Sequence, residues 1–260
     1  MNEEQGTVRL SVDGCVAGVL LDRRHAHNAM TFPMVEQLIA ICERLRGERS
    51  IRAATLRGAG GQAFVAGADI AQFARFTSID DGIAYERTIE RCIEAIATLP
   101  MPTVAIIDGF AVGGGLAIAT ACDFRIAVPA AQFGVPIART LGNCLSVANV
   151  ARLVDAFGSQ RTKRMLLLAE LIGAGEALAC GYLHRVSAPE TIDADAQALC
   201  ASLAALAPLT QRASKEVLRR LSIAALPDAE ELVRLCYGST DFREGVAAFL
   251  AKRAPQWRGE

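Results

Sequence analysis

The sequence predicts a layered α/β domain followed by a helical appendage. Three observations predict it: strand-like and helix-like segments alternate through the first half, the last third is helical almost throughout, and 260 residues with 52% hydrophobic content can bury a sizeable core in one large domain. In chain order, residues 7–12 and 16–21 are β-rich, and residues 31–46 carry apolar side chains at helical spacing. Residues 53–57 read as a strand and 83–97 as a helix. Residues 103–107 form a buried strand that runs into Gly109, where a second βα unit starts, and 124–128 form another strand. After that the pattern is helical near 147–157, 161–168, 190–204, 211–221 and 229–237. Ser187-Ala188-Pro189-Glu190 has the spacing of a capping box and so predicts a helix origin. The division that follows is a core over residues 1–195 carrying the ligand site and a helical region over 196–260, without internal repeats or low-complexity linkers.

Charge and cysteine content narrow the function classes. Lys and Arg number 27 against 28 Asp and Glu, a net charge of -1. Such a balance gives no electrostatic reason to expect nucleic acid or an anionic membrane as partner, so a small molecule is the expected ligand. Charges interrupt the apolar runs before any reaches spanning length, and no membrane segment is expected. The acidic, polar start at residues 1–5 is unlike a secretory signal, which makes the cytoplasm the expected compartment. Eight cysteines are scattered without a C-x-x-C pair, which argues against a zinc ribbon or a disulfide framework; no metal is expected.

Two glycine-containing turns carry the candidate chemistry. Ala66-Gly67-Ala68-Asp69-Ile70 and Gly109-Phe110-Ala111-Val112-Gly113-Gly114-Gly115 each follow a strand and open a helical turn. The first amides of a helix lack internal partners and sit at the positive end of its dipole, so amides from two such turns can form an oxyanion hole. The plainer reading is that the glycines permit close packing of helix on sheet. The patterns of a dinucleotide fingerprint, a P-loop, a nucleophile elbow and an H-E-x-x-H zinc helix are all absent.

Arg24-His25-Ala26-His27-Asn28-Ala29-Met30, Ala63 through Ile70, and Pro102 through Gly115 to Ala121-Cys122-Asp123 resemble the enoyl-CoA hydratase/isomerase (crotonase) family. Gln132-Phe133-Gly134, Glu176-Ala177 and Phe249-x-x-Lys252-Arg253-x-Pro255 follow in the family's order, so the resemblance spans nearly the whole chain. It implies a ββα spiral core, a homotrimer or dimer of trimers built through the helical region, and an acyl-CoA substrate, with coenzyme A entering as part of that substrate and no separate cofactor. It also implies that the amides of Ala68 and Gly114, flanked by Gly67 and Gly113, hold the thioester oxygen. By the same resemblance Ala26, Ala66, Asp69 and Ile70 contact pantetheine and adenine. His25 stands where relatives often carry a phosphate-binding lysine, and an exposed turn residue is its plainer reading. Lys252 matches a basic position that can reach CoA phosphate; a solvated surface lysine is the alternative.

The chain departs from the family at the chemistry. The family's hydratases use a glutamate three positions beyond the middle glycine and another just after the Phe-Gly-x-Pro segment; Ala117 and Ile137 stand there. Neither can activate water or protonate a carbon, so ordinary 2-enoyl-CoA hydration is expected to be very weak or absent. The following loop supplies other polar groups: Arg139, Asn143, Cys144 and Ser146. One relative carries a nucleophilic aspartate after Gly-Asn in this region, and Cys144 follows Gly142-Asn143 here. A helix start would make Cys144 a candidate thiolate, against the reading of a buried structural cysteine. Arg139 could clamp a substrate carboxylate or form a surface ion pair. Glu86, Glu90 and Glu94 share one helix face, read mainly as solvated, with acyl-pocket chemistry as the alternative. His27 and His184 have no partner in the sequence pattern. The expected protein is an enzyme acting on a CoA thioester by isomerisation, decarboxylation or C–C or thioester cleavage. The other class is a non-catalytic acyl-CoA binder.

Overall fold

Strand after strand, the chain leaves one sheet for another, and this alternation builds the site. The computed structural model describes residues 3–222 and 230–259. β1 (Thr7–Asp13) and β2 (Val16–Asp22) pair antiparallel around a turn at Gly14, and α1 (Phe32–Arg46) follows. Thr31 caps α1 by accepting from the Met34 amide, and Met34, Val35, Leu38, Ile39, Cys42 and Leu45 form its buried stripe. Then come β3 (Ala53–Gly58), β4 (Ala63–Val65) and α2 (Ile79–Ala97). The unit repeats as β5 (Thr103–Ile107), β6 (Phe110–Val112) and α3 (Gly114–Ala121). It repeats again as β7 (Phe124–Ala127), β8 (Gln132–Gly134), the short α4 (Ile137–Thr140) and the long α5 (Val147–Leu167). β9 (Leu171–Gly173), α6 (Ala174–Ala179) and β10 (Arg185–Val186) close the two sheets.

The first strand of each unit enters a six-stranded sheet of order β1-β2-β3-β5-β7-β10. The second enters a four-stranded sheet of order β4-β6-β8-β9. β2, β3, β5 and β7 are parallel neighbours, as are β4, β6 and β8. This is the ββα spiral that the resemblance implies. β5 is buried along its whole length, as expected of a central parallel strand covered on both faces. The strands of the second sheet have only three residues each and carry no period of their own; the sequence reading missed them.

The C-terminal part consists of α7 (Ile192–Ala204), α8 (Pro208–Ser222), α9 (Glu230–Tyr237) and α10 (Thr240–Leu250). Residues 223–229 and 260 of the helical region read from sequence lie outside the described residues. The expected capping box at Ser187–Glu190 does not form. Ser187 instead extends the pairing of β10 with β7 by donating to the Ala127 carbonyl at 2.9 Å, and α7 starts later, at Ile192. The division at 195/196 falls inside α7, which packs on β3, β5 and β7. The helices at 147–157 and 161–168 form one span, α5, interrupted where Gly158 takes φ +76°. Among the described residues no single helix is long and apolar enough to cross a membrane.

One large core joins the sheets to α1, α2 and α3. A second, smaller one gathers Phe73, Ile83, Leu141, Val233, Tyr237, Phe242 and Val246 around the N-terminal half of α2.

Candidate active site

Two free amides meet at the wall of a cavity of about 810 Å³. The Met30 amide donates to the Gly67 carbonyl and the Asp69 amide donates to the Met30 carbonyl, both at 2.9 Å. Met30 thereby engages the groups on either side of Ala68 in an isolated parallel bridge. The pleat turns the N–H of Ala68 away from Met30, and among the described residues that amide donates no hydrogen bond. Gly114 opens α3, so its amide has no acceptor within the helix.

The three consecutive glycines have separate tasks. Gly113 takes φ +55°, a conformation that favours glycine, and turns the chain from β6 into α3. A Cβ on Gly115 would overlap the Val65 carbonyl, so this residue seats α3 on β4. A Cβ on Gly114 would meet nothing within 4 Å, because that side faces open space. Gly113 also lies against Gly67: a Cβ on it would stand 3.6 Å from the Gly67 Cα. Contact between the two turns is what joins their amides into one site. With the α3 dipole behind them, Ala68 and Gly114 can hold an oxygen that gains negative charge.

The wall beside these amides comes from α2. Tyr85 and Ile89 line both the main cavity and a small apolar recess of about 10 Å³ at Ala68 and Gly114, shared with Met30, Ile93 and Ile118. Glu86 lies between them in sequence, lines the main cavity and is 6% exposed. Its Oε1 accepts from the Tyr237 hydroxyl at 2.7 Å, while Oε2 has no hydrogen-bond partner. Burial pushes this carboxyl up to about 7; the Tyr237 hydroxyl and the nearby Ser146 amide pull it partly back. Since Tyr237 donates to Glu86, its oxygen accepts from Asn143 Nδ2, at 3.2 Å. That leaves Asn143 Oδ1 buried without a partner.

This assembly corrects the reading of a solvated face. Glu90 pairs with Arg152 at 2.7 Å and Glu94 with Arg219 at 2.8 Å, so the face is covered by α5 and α8, and Glu86 is buried deepest. A sequence signal was available: Glu86 falls three residues after Ile83 and seven before Ile93, both buried, and so stands on the apolar stripe of α2. Tyr237 gave no such signal, because its partners are 94 and 151 residues away.

His25, Ala26, Ala66, Gly67, Asp69, Ile70, Gly113, Asn143 and Lys252 all line the same cavity. Asp69 is held by Arg23 at 3.1 Å and accepts from the Ala71 amide, which orients the turn after Ala68. Ala117 and Ile137 line the cavity with apolar side chains. Two candidates are not brought to the wall. Arg139 is exposed and absent from the lining, because the four-residue α4 points it outward. Cys144 turns toward α9, where its thiol donates to the Leu232 carbonyl at 3.6 Å beside Cys236. The Cys236 sulfur and burial push the Cys144 thiol far up, which favours the structural-cysteine reading over the candidate thiolate. His27 is exposed, and His184 packs edge-on against Phe124. Among the described residues no three His, Cys, Asp or Glu side chains cluster at metal-ligand spacing.

A model of the enoyl-CoA hydratase/isomerase family matches residues 12–260. The chain belongs to this family. A short-chain-enoyl-CoA hydratase of Clostridium acetobutylicum is 30% identical over 257 residues, covering 96% of this chain and 97% of that protein. Among solved structures, an enoyl-CoA hydratase/carnithine racemase from Magnetospirillum magneticum superposes with a TM-score of 0.80 at 33% identity, covering 98% and 96% of the two chains. A methylmalonyl-CoA decarboxylase in complex with 2-nitronate-propionyl-CoA superposes with a TM-score of 0.89 at 26% identity, covering 98% and 99%. Family membership makes this an enzyme fold built to bind acyl-CoA, and the cavity at Ala68 and Gly114 is its candidate active site.

Proposed function

We propose that the protein moves a proton along the acyl chain of a CoA thioester, with Ala68 and Gly114 holding the enolate oxygen and Glu86 as the single acid and base. The observation that carries this reading is the buried, half-unpartnered Glu86 carboxyl on the wall shared with the two amides. Ionised Glu86 takes a proton from C2 of a 3-enoyl thioester, the carbon between the carbonyl and the double bond. The electron pair moves into the thioester as an enolate, and the amides stabilise its oxygen. Glu86 then returns the proton to C4, and the double bond moves to C2–C3, in conjugation with the thioester. A 1,3-shift of this kind needs one group acting on one substrate, whereas hydration needs a second group to activate water, and Ala117 and Ile137 supply none. Double-bond isomerisation is therefore the best-supported reaction class.

Decarboxylation would use the same amides, but a second substrate carboxylate would face the acidic Glu86. The cavity's Arg, Lys and His side chains, Arg23, His25, His27 and Lys252, come from the segment before Ala29 and from the C-terminal end. The small apolar recess beside the amides suits a short or methyl-sized acyl terminus.

The deciding comparison measures wild type and Glu86→Gln on a short 3-enoyl-CoA and on crotonyl-CoA. Expected are isomerisation well above hydration in the wild type and a loss of about 10²–10⁴ in turnover for the variant, with acyl-CoA affinity kept within a few-fold. Undiminished turnover in Glu86→Gln, or bound thioesters that never react, would overturn the reading. We also propose self-association as a trimer or dimer of trimers, supported by the exposed Leu209, Val217, Leu218 and Leu221 of α8.

A further inference from the structure

The loop between α4 and α5 meets α9 through two adjacent rungs. Asn143 hydrogen-bonds the Tyr237 hydroxyl, and the next residue, Cys144, lies beside Cys236, which immediately precedes Tyr237. Cys144 also donates to the Leu232 carbonyl, one helical turn before Cys236, so the sulfur of the loop lies along the same stretch of α9. Both cysteines are half-buried. Cys42, Cys92, Cys122 and Cys200 are buried. The Cys144–Cys236 pair is unused by the proposed proton transfer.

We infer that Cys144 and Cys236 form a redox-modifiable dithiol that takes a two-electron oxidant of the peroxide class and, as a disulfide, disturbs the Asn143–Tyr237–Glu86 chain beside it. The Cys144 proton is given to the Leu232 carbonyl, while the Cys236 thiol is lowered by the sulfur beside it, which makes Cys236 the attacking sulfur. Its thiolate displaces hydroxide from hydrogen peroxide as the O–O bond breaks, leaving a sulfenic acid. The Cys144 thiol then attacks that sulfur, the S–O bond breaks and water leaves. In total two thiols lose two electrons and two protons, and one peroxide becomes two waters.

The geometric effect is local. A disulfide draws the two sulfurs to roughly 2 Å. The flanking residues are Asn143 and Tyr237, and the Tyr237 hydroxyl holds Glu86. Trp257, the one tryptophan of the sequence, packs on the same loop, its ring 3.2 Å from the position of a Cβ on Gly142. It reports loop movement independently of catalysis.

The test treats native full-length protein with substoichiometric hydrogen peroxide and maps the cysteines by peptide mass spectrometry. Expected are a Cys144–Cys236 linked peptide lacking two hydrogens and a Trp257 emission change, both reversed by dithiothreitol. Cys144→Ser should stop at a sulfenic acid on Cys236 that dimedone traps, and Cys236→Ser should show neither product. Oxidation elsewhere first, or sulfinic acid without a link, would overturn the dithiol. The coupling to the cavity rests on its being the acyl-CoA site. It is read as a several-fold, reversible weakening of acetyl-CoA binding in protein shown to carry the link, and unchanged binding there would overturn the coupling. A failure of the Glu86 proposal would appear separately, as missing turnover in the fully reduced protein.

Discussion

At the scale of the residue, Glu86 carries the chemistry and also costs stability. Its carboxyl is raised to about 7 in the folded protein, above the ordinary value of 4.5, because burial disfavours the charge. Between those two pH values the unfolded chain has lost this proton and the folded chain keeps it, so stability falls as pH rises through the window. Above pH 7 the penalty is complete, on the order of 3 kcal/mol. Glu86→Gln should therefore melt several degrees higher than wild type at pH 8 and close to it at pH 4, a difference that calorimetry at the two pH values would detect. As a base, ionised Glu86 should give a kcat/KM that rises with pH through an apparent value near 7. Tyr237→Phe removes the hydroxyl that favours the charged form. The acidic limb of that profile should then move to higher pH, whereas a purely packing role for Tyr237 would lower activity without moving it.

At the scale of the element, α2 and α9 hold the carboxyl in place through Gly82. A Cβ at this position would overlap Cβ, Cγ and Cδ1 of Tyr237, so glycine lets the ring lie on α2 and reach Glu86 one turn further on. Gly82→Ala gains helix propensity, roughly 1 kcal/mol, but pushes the tyrosine away. We expect turnover to fall at least tenfold with acyl-CoA affinity nearly unchanged. Full activity in this variant would show that Tyr237 does not position Glu86. α2 itself begins earlier than its apolar spacing predicts. Ser78 and Asp81 form a reciprocal capping box that starts the helix at Ile79, and this sets Glu86 two turns inside rather than at a frayed end.

At the scale of the whole molecule, the two cores divide the work. The large one fixes the sheets and the amides of Ala68 and Gly114, and the small aromatic one fixes the wall with Glu86. In the small core Phe73 and Tyr85 meet edge to face at 4.8 Å, and Tyr237 and Phe242 lie at the same separation. The expected trimer or hexamer would bury the exposed apolar residues of α8, a helix with no buried residue in this chain. Light scattering should give a mass near three or six chains, and Leu218→Glu should lower it; a monomeric wild type would exclude the arrangement.

What the sequence determined by itself is the backbone part of the site. Gly67 and Gly113 lie one residue before the two amides, and their positive φ and the free helix-start N–H of Gly114 are local properties that a few neighbouring residues dictate, whereas the bridge to Met30 is what leaves the Ala68 amide free. The long strands and α1 were legible for the same reason, since their periods lie within the segments themselves. Tertiary structure decided the rest. The three-residue strands β4, β6, β8 and β9 exist only because the second sheet pairs them. Arg139 and Cys144 looked equal to Asn143 in the loop, and only packing against α9 turned Asn143 to the cavity and Cys144 to Cys236. Glu86 was one of three equivalent glutamates on a helix face until Arg152 and Arg219 paired with the other two and Tyr237 covered it. Burial and partner choice are non-local quantities, and the pKa that makes a carboxylate useful follows from both.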